Sequence, residues 1–239
     1  MSAELTELHL TGEATDLESM SPSEVIEHIL AVTPDPQPCF TCSFQTEDMV
    51  VLDFVRKAVP NIPVIFLETG YHFAATYAYR DQMADLWNLN IINAAHAETR
   101  EQHEAQRGLL HIVNPTECCN LRKVGPLMAS LEPYNVWFTG LRREQSPTRA
   151  NLKKIEDHRT PNGHHLKKVS ILADWDWKRV TDYAREHAIP ELPLYAQGYT
   201  SIGCEPCTAI STDPTNARAG RWGGKKLECG IHTFSEKSE

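Results

Sequence analysis

Short apolar runs, each closed by a Pro, Gly or charged turn, set the period of this chain. Ser21-Pro22-Ser23-Glu24 reads as a capped helix start, with Ser21 as the cap, Pro22 in the first turn and Glu24 reaching back. Val25, Ile26, Ile29 and Leu30 carry that helix to the break at Pro34, Pro36 and Pro38. A strand follows at residues 39–42, then the polar stretch Ser43-Phe44-Gln45-Thr46-Glu47-Asp48 and an apolar helix over 49–59. The continuous apolar run 63–67 reads as a buried parallel strand. It leads through Glu68-Thr69-Gly70-Tyr71 into a helix over about 73–87.

The alternation continues with a strand at 90–93 and a charged helix near 97–109. A helix opened by Cys118-Cys119 runs through Leu121 to Leu131, and a strand at 135–139 ends in the loop 140–149. A strand-like 166–171 precedes a helix over 175–187 with Asp174 as its cap. Strand and helix in turn, joined by short loops, predict an α/β fold: a parallel sheet with helices on both faces. Ligands of such sheets sit beyond the carboxyl ends of the strands, so the loops starting at Ser43, Glu68 and Gly140 are expected to line one pocket. From Pro190 onward the helical period fades. The organisation expected is a loosely ordered arm over 1–20 and one domain over 21–239, its segment 190–239 irregular.

Composition narrows the setting. A chain of 239 residues with net charge −9 has ample length for a core and no general attraction for nucleic acid or membrane. No apolar stretch reaches membrane-span length, and Met1-Ser2-Ala3-Glu4 carries no basic-then-apolar leader, so the cytoplasm is the expected compartment. Seven cysteines there are reduced: ligands, nucleophiles or core residues.

Cys118-Cys119 and the C-x-x-C of Cys204 and Cys207 make four soft ligands. By spacing alone three readings stand: a cluster of iron and sulfide, a tetrahedral zinc, and unrelated buried thiols. Zinc pairs usually have two to four residues between them, which adjacent cysteines fit badly. Cys39 and Cys42 form a second C-x-x-C, but residues three apart in a strand face opposite ways, so those sulfurs are not expected to meet. Ser43–Asp48, between strand and helix, reads either as an anion-binding turn or as an ordinary helix cap; it lacks the glycines of a phosphate loop. Basic residues crowd at predicted loop ends: Lys123 one helical turn past Cys119, Arg142, Arg143 and Arg149, then Arg218 and Arg221. Cys229, beside Gly230 and His232 near the end of the chain, has the features of a nucleophile kept apart from the other thiols.

With these residues laid out, the chain resembles the assimilatory sulfonucleotide reductases, and within them the iron–sulfur adenylyl-sulfate (APS) reductases that use thioredoxin. The resemblance runs from about Ser43 to His232. It is carried by 43–48, Leu67-Glu68-Thr69-Gly70, Cys118 to Lys123, 140–149, Gly203-Cys204-Glu205-Pro206-Cys207, Arg218-Ala219-Gly220-Arg221-Trp222 and Glu228-Cys229-Gly230-Ile231-His232. Gln45-Thr46 and Cys42 depart from it, as does a tail without Thr before Glu228. The resemblance implies an adenine-nucleotide α-hydrolase-like fold and a [4Fe–4S] cluster on Cys118, Cys119, Cys204 and Cys207. It implies Cys229 as nucleophile and Lys123, Arg142, Arg143, Arg218, Arg221 and His232 around the phosphosulfate. Ser43, Leu67, Thr69, Gly70 and Gly140 are then nucleotide contacts. Implied too are reduction of APS to sulfite and AMP through a Cys229 thiosulfonate, thioredoxin or a similar dithiol as reductant, and a tail hinged at Gly223-Gly224; a homo-oligomer is compatible with it. The neighbouring alternatives are a reductase of the 3′-phosphorylated nucleotide (PAPS) and, further off, an ATP pyrophosphatase or tRNA-thiolating enzyme, which wants a Ser-Gly-Gly loop that Ser43-Phe44-Gln45 does not supply.

Overall fold

The structure, a computed structural model, describes residues 16–213, 216–224, 226 and 228–231. Six strands form one sheet in the order β3-β2-β1-β4-β6-β5. They are β1 (Pro38–Thr41), β2 (Pro63–Glu68), β3 (Asn90–Ala95), β4 (Val136–Phe138), β5 (Ile155–Arg159) and β6 (His165–Val169). The helices are α1 (Pro22–Val32), α2 (Thr46–Ala58), α3 (Ala74–Trp87), α4 (Arg100–Arg107), α5 (Leu110–Val113), α6 (Pro115–Cys119), α7 (Gly125–Leu131) and α8 (Trp177–Glu186).

Alternation along the strands builds two cores. Phe40, Val64, Phe66, Phe138 and Val169 face a layer of α1, α2, α3 and α8 through residues such as Ile29, Leu52, Met83 and Val180. Cys39, Ile65, Trp137 and Leu166 face the other way, against Leu127, Met128 and Leu131 of α7. Both faces are therefore covered, as a sheet of this kind requires. Cys39 and Cys42 lie in opposite cores, and burial pushes both thiols well above the ordinary range; they are packing residues.

The sheet is mixed, not wholly parallel: β5 pairs antiparallel with β6. This edge strand, Ile-Glu-Asp-His-Arg, buries only His158 and so has no apolar run to announce it. Other differences are local. α8 is capped by Asp176, whose side chain accepts from the Arg179 amide, while Asp174 pairs with Lys154 at 3.2 Å. α4 begins only at Arg100 because Thr99 and Gln102 form a capping box. The cysteine pair closes a short helix begun by Asn114 and Pro115, and the chain then passes through a π-helical turn, Asn120–Val124, into α7. Capping of α1 by Ser21 and Glu24 is as expected.

The order of strands positions the site. The chain fills the sheet outward from β1 through β2 to β3, then returns to the other side of β1 with β4. The loops leaving β1 and β4 thus diverge at a switch point, where a crevice opens beyond the strand ends. Beyond Pro190 the described residues form only 3-10 turns and isolated bridges, one of them joining His72 to Cys204. Among the described residues no helix is long and apolar enough to cross a membrane.

Candidate active site

The crevice is an open hollow of about 150 Å³. Ser43, Gln45 and Asp48 enter from the β1 loop, Leu67 and His72 follow β2, and Gly140, Gln145 and Arg149 follow β4. Lys123 comes from the π-helical turn, and Gly203, Arg218, Arg221 and Cys229 from the C-terminal segment.

The β1 loop is held by Asp48 and Phe44. Asp48 Oδ2 accepts from the Ser43 amide at 2.5 Å and from its hydroxyl at 2.6 Å, while the Phe44 amide donates to Cys42 Sγ. Two of the amides expected to face an anion are thus engaged within the loop. Phe44 has φ of 60°, a left-handed conformation costing about 1–2 kcal/mol. Its ring is fully buried, edge-on to Phe66 and Tyr79, which is worth about 1.5–3 kcal/mol and offsets the strain. Gly140 is required opposite: a Cβ there would stand 1.8 Å from Asp48 Oδ1. Burial, reinforced by Glu47, raises the Asp48 carboxyl to about 7 against its hydrogen bonds from Ser43.

Beside the crevice lies a second hollow, lined by Cys118, Cys119, Cys204 and Cys207 with Thr69, Tyr71, Arg122, Lys123 and Arg221. The C-x-x-C turn is tied down on several sides. The Glu205 amide donates to Tyr71 O at 2.7 Å, the Thr208 hydroxyl donates to Cys204 O at 2.8 Å, and Thr69 Oγ1 lies 3.4 Å from Cys204 Sγ. None of the four thiols is in a disulfide. Burial, then the neighbouring thiols, pushes Cys118 up to about 12; the same causes raise Cys207. Four thiolates here call for positive charge among them. Among the described residues no three His, Cys, Asp or Glu groups converge on a single-ion site. Four thiols lining one hollow are, in type and number, the donors an iron–sulfur group takes.

Lys123 and Arg221 line both hollows. Burial acts to lower Lys123, but Cys204, Cys229 and Cys119 together hold it above the ordinary lysine range. Arg221 is 5% exposed, 4.6 Å over the Trp222 ring, its guanidinium lying where a Cβ on Gly203 would be, 2.1 Å away. His72 donates its Nε2–H to Leu67 O, 2.8 Å away, and burial lowers it to about 4, so it is neutral.

Ser43, Leu67, Lys123, Gly140, Arg218, Arg221 and Cys229 thus meet in one crevice, and the four other cysteines meet next to it. Thr69 faces the cysteine hollow, and Gly70 lines neither: its amide donates to Glu68 and its backbone packs against Arg100 and Arg122. Arg142 and Arg143, expected around the anion, turn away. Arg142 is buried against Glu144 and Trp175 O, and Arg143 donates to Leu152 O and pairs with Glu18. His232 lies outside the described residues. Sequence reasoning passed over Asp48, His72 and Gln145; only Asp48, a carboxylate at a strand-to-helix turn, left a signal. It also left Arg149 among the general base of its loop.

Fold and site define an α/β nucleotide-binding protein with a thiol placed among half-buried and buried cations at the sheet's switch point. Residues 37–210 match the phosphoadenosine phosphosulfate reductase domain family. The adenosine 5′-phosphosulfate reductase of Mycobacterium tuberculosis is 41% identical over 198 residues, covering 80% of this chain and 77% of the relative. That of Streptomyces coelicolor is 40% identical over 196 residues, 81% of each. The phosphoadenylyl-sulfate reductase of Candida auris, solved with phosphate, superposes with TM-score 0.69 at 27% identity, over 87% of this chain and 100% of that one. Candida glabrata FMN adenylyltransferase shares the fold alone, at 14% identity and TM-score 0.60 over 80% of this chain and 64% of that one. The chain belongs to the phosphoadenosine phosphosulfate reductase domain family, whose substrates are sulfonucleotides, and its fold is adenine-nucleotide α-hydrolase-like.

The Asp48 carboxyl gives a pH signature. Its pKa is raised on folding, so the folded chain holds a proton that the unfolded chain releases above about pH 4. Stability from this group is therefore fully present below about pH 4 and is lost as pH rises to about 7. Asp48→Asn removes the ionisation and should gain on the parent chain in urea midpoint between pH 5 and pH 8. An unchanged difference between the two proteins at those pH values would contradict the assignment.

Proposed function

We propose that the chain reduces adenylyl sulfate to sulfite and AMP, with Cys229 as nucleophile and a thioredoxin-like dithiol as reductant, in the assimilation of sulfate. The observation that carries this reading is the position of Cys229: it shares the crevice with Lys123, Arg218 and Arg221.

In the first step the Cys229 thiolate attacks the sulfate sulfur; the S–O bond to AMP breaks and AMP leaves with its electron pair. The enzyme is left as a Cys229 thiosulfonate. An anion attacks an anion here, so what the site must supply is positive charge fixed before reaction; buried Arg221 and half-buried Lys123 and Arg218 do so. The leaving phosphate is already a stable anion and needs little acid help. In the second step one reductant thiolate attacks Cys229 Sγ and sulfite leaves with the electron pair. The second reductant thiol then resolves the mixed disulfide, so the dithiol gives up two electrons and Cys229 is restored.

Access by a protein thiol requires the tail to open. Gly223 and Gly224, with φ of 58° and 75° and no atom within 4 Å of an added Cβ, are suited to that hinge. Cys118, Cys119, Cys204 and Cys207 would hold a [4Fe–4S] cluster, which when bound supplies charge and a rigid platform beside the crevice. The thiol chemistry suits the cytoplasm.

Sulfite release driven by reduced thioredoxin tests the substrate. Adenylyl sulfate is expected to be used with a kcat/KM at least about ten-fold above that for the 3′-phosphorylated nucleotide, a difference of about 1.4 kcal/mol in transition-state binding. Cys229→Ser should abolish both activities. A preference for the 3′-phosphorylated nucleotide would overturn the substrate assignment.

The cluster has its own test. Protein purified without oxygen should contain about four iron and four sulfide per chain and absorb in the visible, and Cys207→Ala should lose both signals. Zinc without iron would contradict the proposal.

A further inference from the structure

Glu228, the residue before Cys229, is held from the loop after β4. Arg149 grips its carboxylate as a fork, Nε to Oε1 at 3.1 Å and the second terminal nitrogen to Oε2 at 2.8 Å. The Thr148 hydroxyl donates to Oε1 at 3.2 Å, and Arg218 reaches Oε2 at 3.4 Å. Both side chains of the Glu228–Arg149 pair are 11% exposed. A planar guanidinium meeting a carboxylate through two parallel bonds fixes direction as well as distance. The receptor belongs to the loop after β4, held in turn by Arg149 to Gln145 and by Gln145 Nε2 to Glu47 Oε1 at 2.7 Å. Upstream of the pair, Trp222, Gly223 and Gly224 all have positive φ, so the chain enters the tail through a turn that swings readily. Among the described tail residues, Lys226 Nζ also donates to Pro115 O at 3.4 Å, and Ile231 is partly buried against the α7 core.

We propose that Glu228 is the latch of the tail and Arg149, with Thr148, its receptor, so that this ion pair positions the Cys229 sulfur in the crevice. Arg149 is then a positioning residue for the nucleophile and no ligand of the substrate phosphate; that duty falls to Lys123 and Arg221, which face both the crevice and the thiols. Glu228 shares Arg218, so an anion that draws Arg218 away loosens one side of the latch while the Arg149 fork still holds. Glu228 and Arg149 become a matched pair: the acid is useful only where the arginine is. This assignment rests on Cys229 as the reacting thiol, but the closed tail itself is measurable without any nucleotide.

The test is alkylation of Cys229 by iodoacetamide in the purified full chain without substrate, read by mass spectrometry of the Cys229 peptide. Cys229 is half-buried in the crevice, and its reaction rises with the population of the open form. Glu228→Gln and Arg149→Gln each remove one partner and should each speed labelling by about ten-fold, the loss of one charge-assisted, partly buried pair. The double variant should be no faster than the faster single one, because the two act through one contact. The two substitutions change local charge in opposite senses, so an effect of charge alone on the thiol would send their rates in opposite directions. That outcome, or unchanged rates, overturns the latch. In turnover, both variants should lower kcat with KM for the nucleotide within about two-fold. A raised KM at unchanged kcat would return Arg149 to the substrate and overturn the proposal equally.

Discussion

Thiols crowded into a small buried space resist ionisation, because burial and mutual repulsion both favour the neutral form. An anionic substrate brought to the same place adds to the repulsion. The chain answers with cations in the wall common to both hollows. Lys123 and Arg221 face the crevice on one side and the cysteines on the other. Each is fixed by local backbone design: Lys123 by the π-helical turn after Cys119, Arg221 by a close approach that only Gly203 permits. In a chain of net charge −9 these few inward-facing cations decide where an anion is stable.

The sheet supplies the frame for that wall. Reversal of strand order at β1 separates the loops after β1 and β4, and Asp48 bridges the gap by packing its carboxylate against Gly140. The loop after β4 carries Arg149 toward the tail, while Glu18, near the start of the described chain, holds Arg143 of that loop on its outer side. One loop thus presents its neighbouring arginines to opposite sides, and only one side meets Cys229.

Strand and helix alternation was legible because β2 and β4 are runs of apolar residues and caps or Pro breaks mark many of the helices. β5 was not, since a solvated edge strand needs no such run. The π-helical turn was hidden for a different reason: Asn120-Leu121-Arg122-Lys123-Val124 suits an ordinary helix equally well. Residue type pointed to the thiols and the basic clusters, and tertiary placement brings most of them together. It could not reveal the directions of Arg142 and Arg143, because those depend on Trp175, Leu152 and Glu18, partners from other parts of the chain. Nor did it reveal the bond between Arg149 and Glu228, far apart in sequence and joined only when the tail folds over the crevice. Charged pairs of this kind carry no periodicity, so they are read from structure alone.

The central claim is that Cys229 forms the covalent intermediate, and mass spectrometry of the chain mixed with adenylyl sulfate in the absence of any reductant tests it most directly. A thiosulfonate on the Cys229 peptide, formed in step with AMP release and absent from Cys229→Ser, is the result the account predicts. AMP release without that adduct, or an adduct on another cysteine, would contradict it.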